Sequence, residues 1–125
     1  MALGIGIDAV ELAEFERLCD VGEGAFVRRT FTAAERADAE RHVRPRECLA
    51  GKFAVKEATF KAVGHLVAAQ AFDLRVVECL EDEAGCPHVT TTGALAPVLA
   101  EAGVSELLVS ITNEAGLAMA VVLAQ

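Results

Sequence analysis

Asp8 and Glu57 stand where a carboxylate is unexpected in this 125-residue chain. Asp8 closes the nearly all-apolar run Leu3-Gly4-Ile5-Gly6-Ile7. There it either caps a helix beginning at Ala9 or points into a cleft as a ligand. Glu57 lies within Lys52-Phe53-Ala54-Val55-Lys56-Glu57-Ala58, with Lys61 four residues further on. That spacing suits a helical surface ion pair worth about 0.3–0.5 kcal/mol. Yet Phe53, one turn before Glu57, puts the same face at least partly inside. Acid and base on a half-buried helix, with a second carboxylate available, suit a hard cation bound to phosphate. Magnesium takes one or two carboxylates and fills its other positions with water and substrate oxygens. From the residues alone, cap or ligand for Asp8 and surface pair or ligand for Glu57 both stand.

Two other constellations are weaker. Gly4-Ile5-Gly6-Ile7-Asp8-Ala9 matches a loose GxGxxA, but both glycines fall inside the expected strand rather than in a turn that opens a helix. Cys19, Cys48, Cys79 and Cys86 contain no CxxC pair, so packed, reduced thiols of a cytoplasmic protein are expected. Cys79, Cys86 and His88 offer three scattered zinc ligands and no fourth.

Charge separates along the chain. The net charge is −8, yet positions 28–61 hold nine bases against five acids, while positions 8–24 hold six acids against Arg17. The basic block, which includes Arg46, Lys52, Lys56 and Lys61, is a candidate anion site or a solvated helix face. The acidic balance elsewhere argues against a nucleic-acid partner. No apolar run is long enough to cross a membrane, and the amino terminus lacks the basic start of a secretory signal.

These side chains need elements to position them. Leu3, Ile5 and Ile7 alternate with Gly4, Gly6 and Asp8, which predicts a strand whose glycine face another element can approach closely. Val10, Leu12, Phe15 and Leu18 follow helical spacing, with a stop near Gly22-Glu23-Gly24. Thr32-Ala33-Ala34-Glu35 is a capping box that opens a second helix running to about Val43. Pro45 suits the first turn of a long buried helix over 46–63, capped by Gly64. Strands are predicted over 72–80 and around 88–92, and a short helix over 94–102 ended by Gly103. Strands over 107–112 and 117–124 are joined by the hairpin signal Asn113-Glu114-Ala115-Gly116. The result is an α+β fold, a mainly antiparallel sheet packed on a long central helix, with residues 1–125 as one domain around one core.

With these residues in view, the chain resembles a known family. GIGID at 4–8, FTAAE at 31–35 and above all GKFAVKEATFKAVG at 51–64 are similar to the holo-acyl-carrier-protein synthases, the small class of 4′-phosphopantetheinyl transferases. Phe53, Lys56, Glu57, Ala58 and Lys61 meet the family's helix pattern, and the likeness extends through 72–89 and 109–124. It implies transfer of 4′-phosphopantetheine from coenzyme A to a serine of a carrier protein, releasing adenosine 3′,5′-bisphosphate. It further implies Mg²⁺ held by Asp8 and Glu57, with Lys61 as the third catalytic residue. Arg46, Lys52, Lys56, Lys61, Gly64, Thr112 and Asn113 are then the expected coenzyme-binding residues. A homotrimer is implied, with the last hairpin supplied to each site by the neighbouring subunit.

The chain departs from the family in three places. His65-Leu66 stands where Thr-Gly is usual, Asn113 where many members have His, and Glu14 where an Arg is often found. The first two leave open a coenzyme-A-binding homologue that is weak without a partner subunit. The third predicts a carrier protein less acidic than usual at its docking face.

Overall fold

Gly4 and Gly6 lie directly on the carbonyl groups of a helix. A Cβ at Gly4 would sit 1.9 Å from the Ala62 oxygen, and one at Gly6 would sit 1.9 Å from the Ala58 oxygen. No side chain fits there, so strand and helix meet backbone to backbone. The structure, a computed structural model, describes residues 1–68 and 73–125. Its elements run β1 (Gly4–Glu11), α1 (Leu12–Asp20), α2 (Ala25–Thr30), α3 (Ala33–Glu40), α4 (Pro45–Val63), β2 (Cys79–Glu81), β3 (Pro87–Val89), α5 (Ala96–Ala102), β4 (Leu107–Glu114) and β5 (Leu117–Ala124).

The main sheet has the order β1-β5-β4, antiparallel throughout, and β2 pairs with β3 in a second, short antiparallel ladder. The expected α+β class and the long helix under the sheet are both present. Along α4, Ala54, Val55, Ala58, Ala62 and Val63 pack with the inward residues Ala120, Val122 and Ala124 of β5. Leu49 and Ala50 of the same helix join Phe15 and Phe31 in a second buried cluster. Small residues on α4 are what allow β1 and β5 to lie so close.

Several boundaries moved for identifiable reasons. β1 does not end at Asp8 but continues to Glu11, in register with β5 from Gly4↔Ala124 to Glu11↔Leu117. Asp8 is therefore no helix cap: α1 begins only at Leu12, and its N-cap, Glu11, makes no side-chain cap bond. α2 was not expected, because its six residues, Ala25–Thr30, are too few to show a period. The capping box of α3 is present in full, but the helix stops at Glu40. Gly64 does not close α4 in the left-handed region. Its φ is −59°, and the chain continues in a 3₁₀ turn over Gly64–Leu66. Of the strand expected over 72–80, Phe72 lies outside the described residues, Leu74–Val76 is a 3₁₀ turn, and only Cys79–Glu81 pairs. The last hairpin closes on Ala115 and Gly116, both at positive φ (54° and 77°), as a primed two-residue turn requires.

Candidate active site

On β1 the side chains alternate, so Asp8 and Val10 face the same way as Gly4 and Gly6, toward α4. Glu57 and Lys61 each precede an alanine, Ala58 or Ala62, that receives a glycine of β1. The backbone contact thus sets Asp8 beside both helical side chains. Lys61 does not form the intrahelical pair with Glu57. Its Nζ donates across to the Ile7 carbonyl at 2.9 Å and to Asp8 Oδ1 at 3.2 Å. Asp8 is largely shielded, with a side chain 19% exposed, against 54% for Lys61.

Among the described residues no hydrogen bond or ion pair reaches the Glu57 carboxylate. Burial pushes its pKa up, the neighbouring Asp8 charge adds to that, and Lys61 pulls it back only in part. Two carboxylates, one of them without a partner and hard to ionise, form an all-oxygen set that a small hard cation would relieve. The donor chemistry thus fits Mg²⁺.

Asp8 and Glu57 line a cleft of about 390 Å³ whose floor is Val10, Phe15, Leu18 and Phe53. Phe15 and Phe53 stand 5.7 Å apart by ring centroids, and Phe26 and Phe31 back Phe15 at 5.7 and 6.2 Å. Glu11 and Glu14 line the same cleft. Their place was not read from the sequence, because it depends on β1 running three residues past Asp8.

The other expected residues separate. Lys52 and Lys56, expected to meet phosphate, are buried at 2% and 0% exposure. Lys56 Nζ donates to Glu35 Oε1 at 2.7 Å and to the Leu74 and Val77 carbonyls, and Lys52 Nζ donates to Asp38 and to the Cys79 carbonyl. Their donors are spent on holding α3 and the segment before β2 against α4. The acids of α3 balance these two charges. Arg46 is at the other end of α4, paired with Asp20 at 2.5 Å. Gly64 lies one turn beyond Lys61, open to solvent on the side a Cβ would occupy. Thr112 and Asn113 lie on β4, two strands away from β1 across β5, with Thr112 opposite Met119 and Asn113 opposite Ala118. Adjacent residues face opposite sides of a sheet, so the two side chains leave β4 in opposite directions. Asn113 instead lines a separate cavity of about 480 Å³ with Lys52, Arg44 and Glu81.

A family model described as the 4′-phosphopantetheinyl transferase superfamily matches residues 4–122. The holo-[acyl-carrier-protein] synthase of Clavibacter michiganensis subsp. michiganensis is 38% identical over 125 residues, covering 100% of this chain and 97% of that protein. The crystal structure of holo-[acyl-carrier-protein] synthase from Neisseria meningitidis superposes with a TM-score of 0.88 at 34% identity, covering 100% of this chain and 99% of that one. A holo-(acyl-carrier-protein) synthase from Bacillus anthracis str. Ames, solved in complex with CoA (3′,5′-ADP), gives a TM-score of 0.77 at 31% identity, covering 99% and 96%.

Proposed function

Because the chain belongs to the 4′-phosphopantetheinyl transferase superfamily, among the holo-[acyl-carrier-protein] synthases, we propose that it transfers 4′-phosphopantetheine from coenzyme A to a serine of a carrier protein. The observation that carries this is the Asp8–Glu57–Lys61 constellation at the mouth of an apolar cleft. The serine oxygen forms a bond to the phosphorus that bears pantetheine. The pyrophosphate bond breaks, and adenosine 3′,5′-bisphosphate leaves. Asp8 and Glu57 would hold Mg²⁺, which supplies charge neutralisation on the pyrophosphate when bound. Lys61, tethered to Ile7 and Asp8, places a positive charge beside the leaving phosphate. Glu57, with its raised proton affinity, orients the water that takes the serine proton.

Residues 1–125 act as one catalytic domain in the cytoplasm. No helix among the described residues is long and apolar enough to cross a membrane. The active form is a homotrimer in which the last hairpin, with Thr112 and Asn113, completes a neighbour's site. In support, the sheet face turned away from α4 is apolar and open: Ile5 is 66% exposed and Ile7 64%, and Ile5 and Leu108 flank Leu123 in register. Light scattering at micromolar concentration is expected to give three times the chain mass, and a monomer would sink the shared site. The central test is incubation with Mg²⁺, coenzyme A and carrier proteins. The carrier gains the mass of phosphopantetheine. Coenzyme binding with no mass gain would favour the homologue that needs a partner subunit.

The carrier's docking face is the least ordinary part of this reading. α1 lines the cleft through Glu14, Phe15 and Leu18, so a serine that reaches Glu57 passes along it. Arg17, the base on this helix, is already paired with Glu14, while Arg46 is paired with Asp20. An acidic carrier would meet uncompensated acid. Like charges in contact in water cost about 1 kcal/mol per pair, so two or three pairs slow encounter by roughly one to two powers of ten. The substrate is therefore a carrier of low acidity on that face. With an ordinary acidic carrier, added salt raises the rate, and Glu14→Arg raises it further. Efficient low-salt modification of that carrier, unchanged by Glu14→Arg, would remove α1 from the docking surface.

A further inference from the structure

The separate cavity by α3 and α4 contains a second set of ligands of a different kind. His42, just past α3, Cys48, in the first turn of α4, and Glu81, at the end of β2, present one ligand atom each, all within 4.8 Å of one another. His42 Nε2 stands 3.0 Å from the Glu81 carboxylate. All three side chains line the cavity of about 480 Å³ and share no lining residue with the Asp8–Glu57 cleft. The cysteine–histidine grouping considered in the sequence, Cys79, Cys86 and His88, does not gather among the described residues. The five intervening residues of turn and helix bring His42 to Cys48 instead, and the β2 ladder brings Glu81.

We propose that His42, Cys48 and Glu81 form a binding site for a borderline-soft divalent cation of the zinc type. The donor set decides the class. A thiolate and an imidazole favour Zn²⁺ and its transition-metal neighbours over Mg²⁺, which takes oxygen. Three protein ligands leave a fourth position facing the cavity, open to water or a small anionic ligand.

The backbone under each ligand is already fixed. His42 N–H donates to the Ala39 carbonyl at 3.0 Å, Cys48 N–H to the Arg44 carbonyl at 3.1 Å, and Glu81 N–H to Asp38 Oδ2 at 3.2 Å. Asp38 is itself held by Lys52, so the buried pair of α3 and α4 also steadies the site. The charges close as well. A dication with one thiolate, one carboxylate and a neutral imidazole sums to zero, which suits a site beside the balanced Lys52–Asp38 pair. Burial holds the free Cys48 thiol up at about 11, so the cation must displace that proton, and one proton is released per thiolate formed.

The site is tested with Co²⁺ as a spectroscopic stand-in, added to the full-length protein under reducing conditions. One equivalent is expected to produce a thiolate-to-cobalt charge-transfer band, and Zn²⁺ should bleach it one for one while excess Mg²⁺ leaves it in place. Cys48→Ser should abolish the band. His42→Ala and Glu81→Gln should each weaken binding by roughly tenfold or more. Cys86→Ser, which changes the exposed thiol, should alter nothing. Circular dichroism of each variant separates lost binding from lost fold. The proposal is overturned if the wild-type protein gives no band, if the band survives Cys48→Ser in a folded protein, or if Cys86→Ser removes it.

Discussion

Asp8→Ala or Glu57→Ala is expected to lower phosphopantetheine transfer by roughly 10²–10³-fold or more, while the melting temperature stays near that of the unaltered protein. Neither carboxylate holds the fold: among the described residues the Asp8 carboxylate is bonded only to Lys61, and that of Glu57 has no partner. Removing either takes away one of the two oxygen donors that would hold Mg²⁺ under the proposed function. The sharper variant is Glu57→Gln. A carboxyl whose pKa is raised in the folded state, as burial and Asp8 raise Glu57, binds its proton more tightly folded than unfolded. Its stabilising contribution is complete below the ordinary carboxylate range and declines as pH rises through the raised value. Glu57→Gln should therefore hold or raise the melting temperature at neutral pH without Mg²⁺, even as it abolishes activity. Added Mg²⁺ should stabilise the unaltered protein and leave Glu57→Gln unmoved. Lys61→Ala should lower the rate at saturating coenzyme A, because its charge serves the transition state more than the ground state. Near-normal turnover in Glu57→Ala would reduce the constellation to packing.

Lys56→Met is expected to destabilise the protein by about 3–5 kcal/mol, read as a lower urea midpoint. Both Lys56 and Glu35 are fully buried, and the aliphatic stem is not what matters, since methionine replaces it. What matters is Glu35, left either charged without its counterion or protonated beside the Thr32 and Cys79 amides it now accepts from. The double variant Lys56→Met/Glu35→Gln should recover much of the loss, because neither partner is then an orphaned charge. If single and double variants fell equally, the pair's charges would not be the cause. The neighbouring pair sets the pH limits. Burial works against both ions, yet the hydrogen bond between them leaves Asp38 lowered and Lys52 raised. Asp38 thus stabilises above the ordinary aspartate range, and that is lost as pH falls through its lowered pKa. Lys52 stabilises below the ordinary lysine range, and that is lost as pH rises through its raised pKa.

Those two lysines also mark where the sequence stopped being legible. The alternation in β1, the capping box at Thr32, the length of α4 and the final hairpin are all local patterns, and the structure follows them closely. Asp8, Glu57 and Lys61 were likewise marked as a group, by their types and by the family pattern they meet. Lys52 and Lys56 were grouped with them because a basic run beside a carboxylate looks like an anion site. Glu35 and Asp38, the acids that balance them, lie 21 and 14 residues earlier, on a helix whose packing has no local signature. The His42–Cys48–Glu81 cluster was missed for the same reason. It depends on how β2 closes against α3, and the strand expected there was placed too long. Between Asp8 as cap and Asp8 as ligand, no local rule could choose. β1 running on to Glu11 rules out the cap.

The backbone contact at Gly4 and Gly6 also bears on how the molecule moves. Where strand and helix are joined by side chains, rotamer hops on the picosecond-to-nanosecond scale let the two drift apart and return. Here no side chain lies between them, so no hop can widen the gap. β1 and α4 must fluctuate together, as one stiff unit. Asp8, carried by one, and Glu57, carried by the other, cannot ease their mutual repulsion by drifting apart. The spacing of the two backbones that carry them is kept by main chain alone, and a guest must accept it as it is.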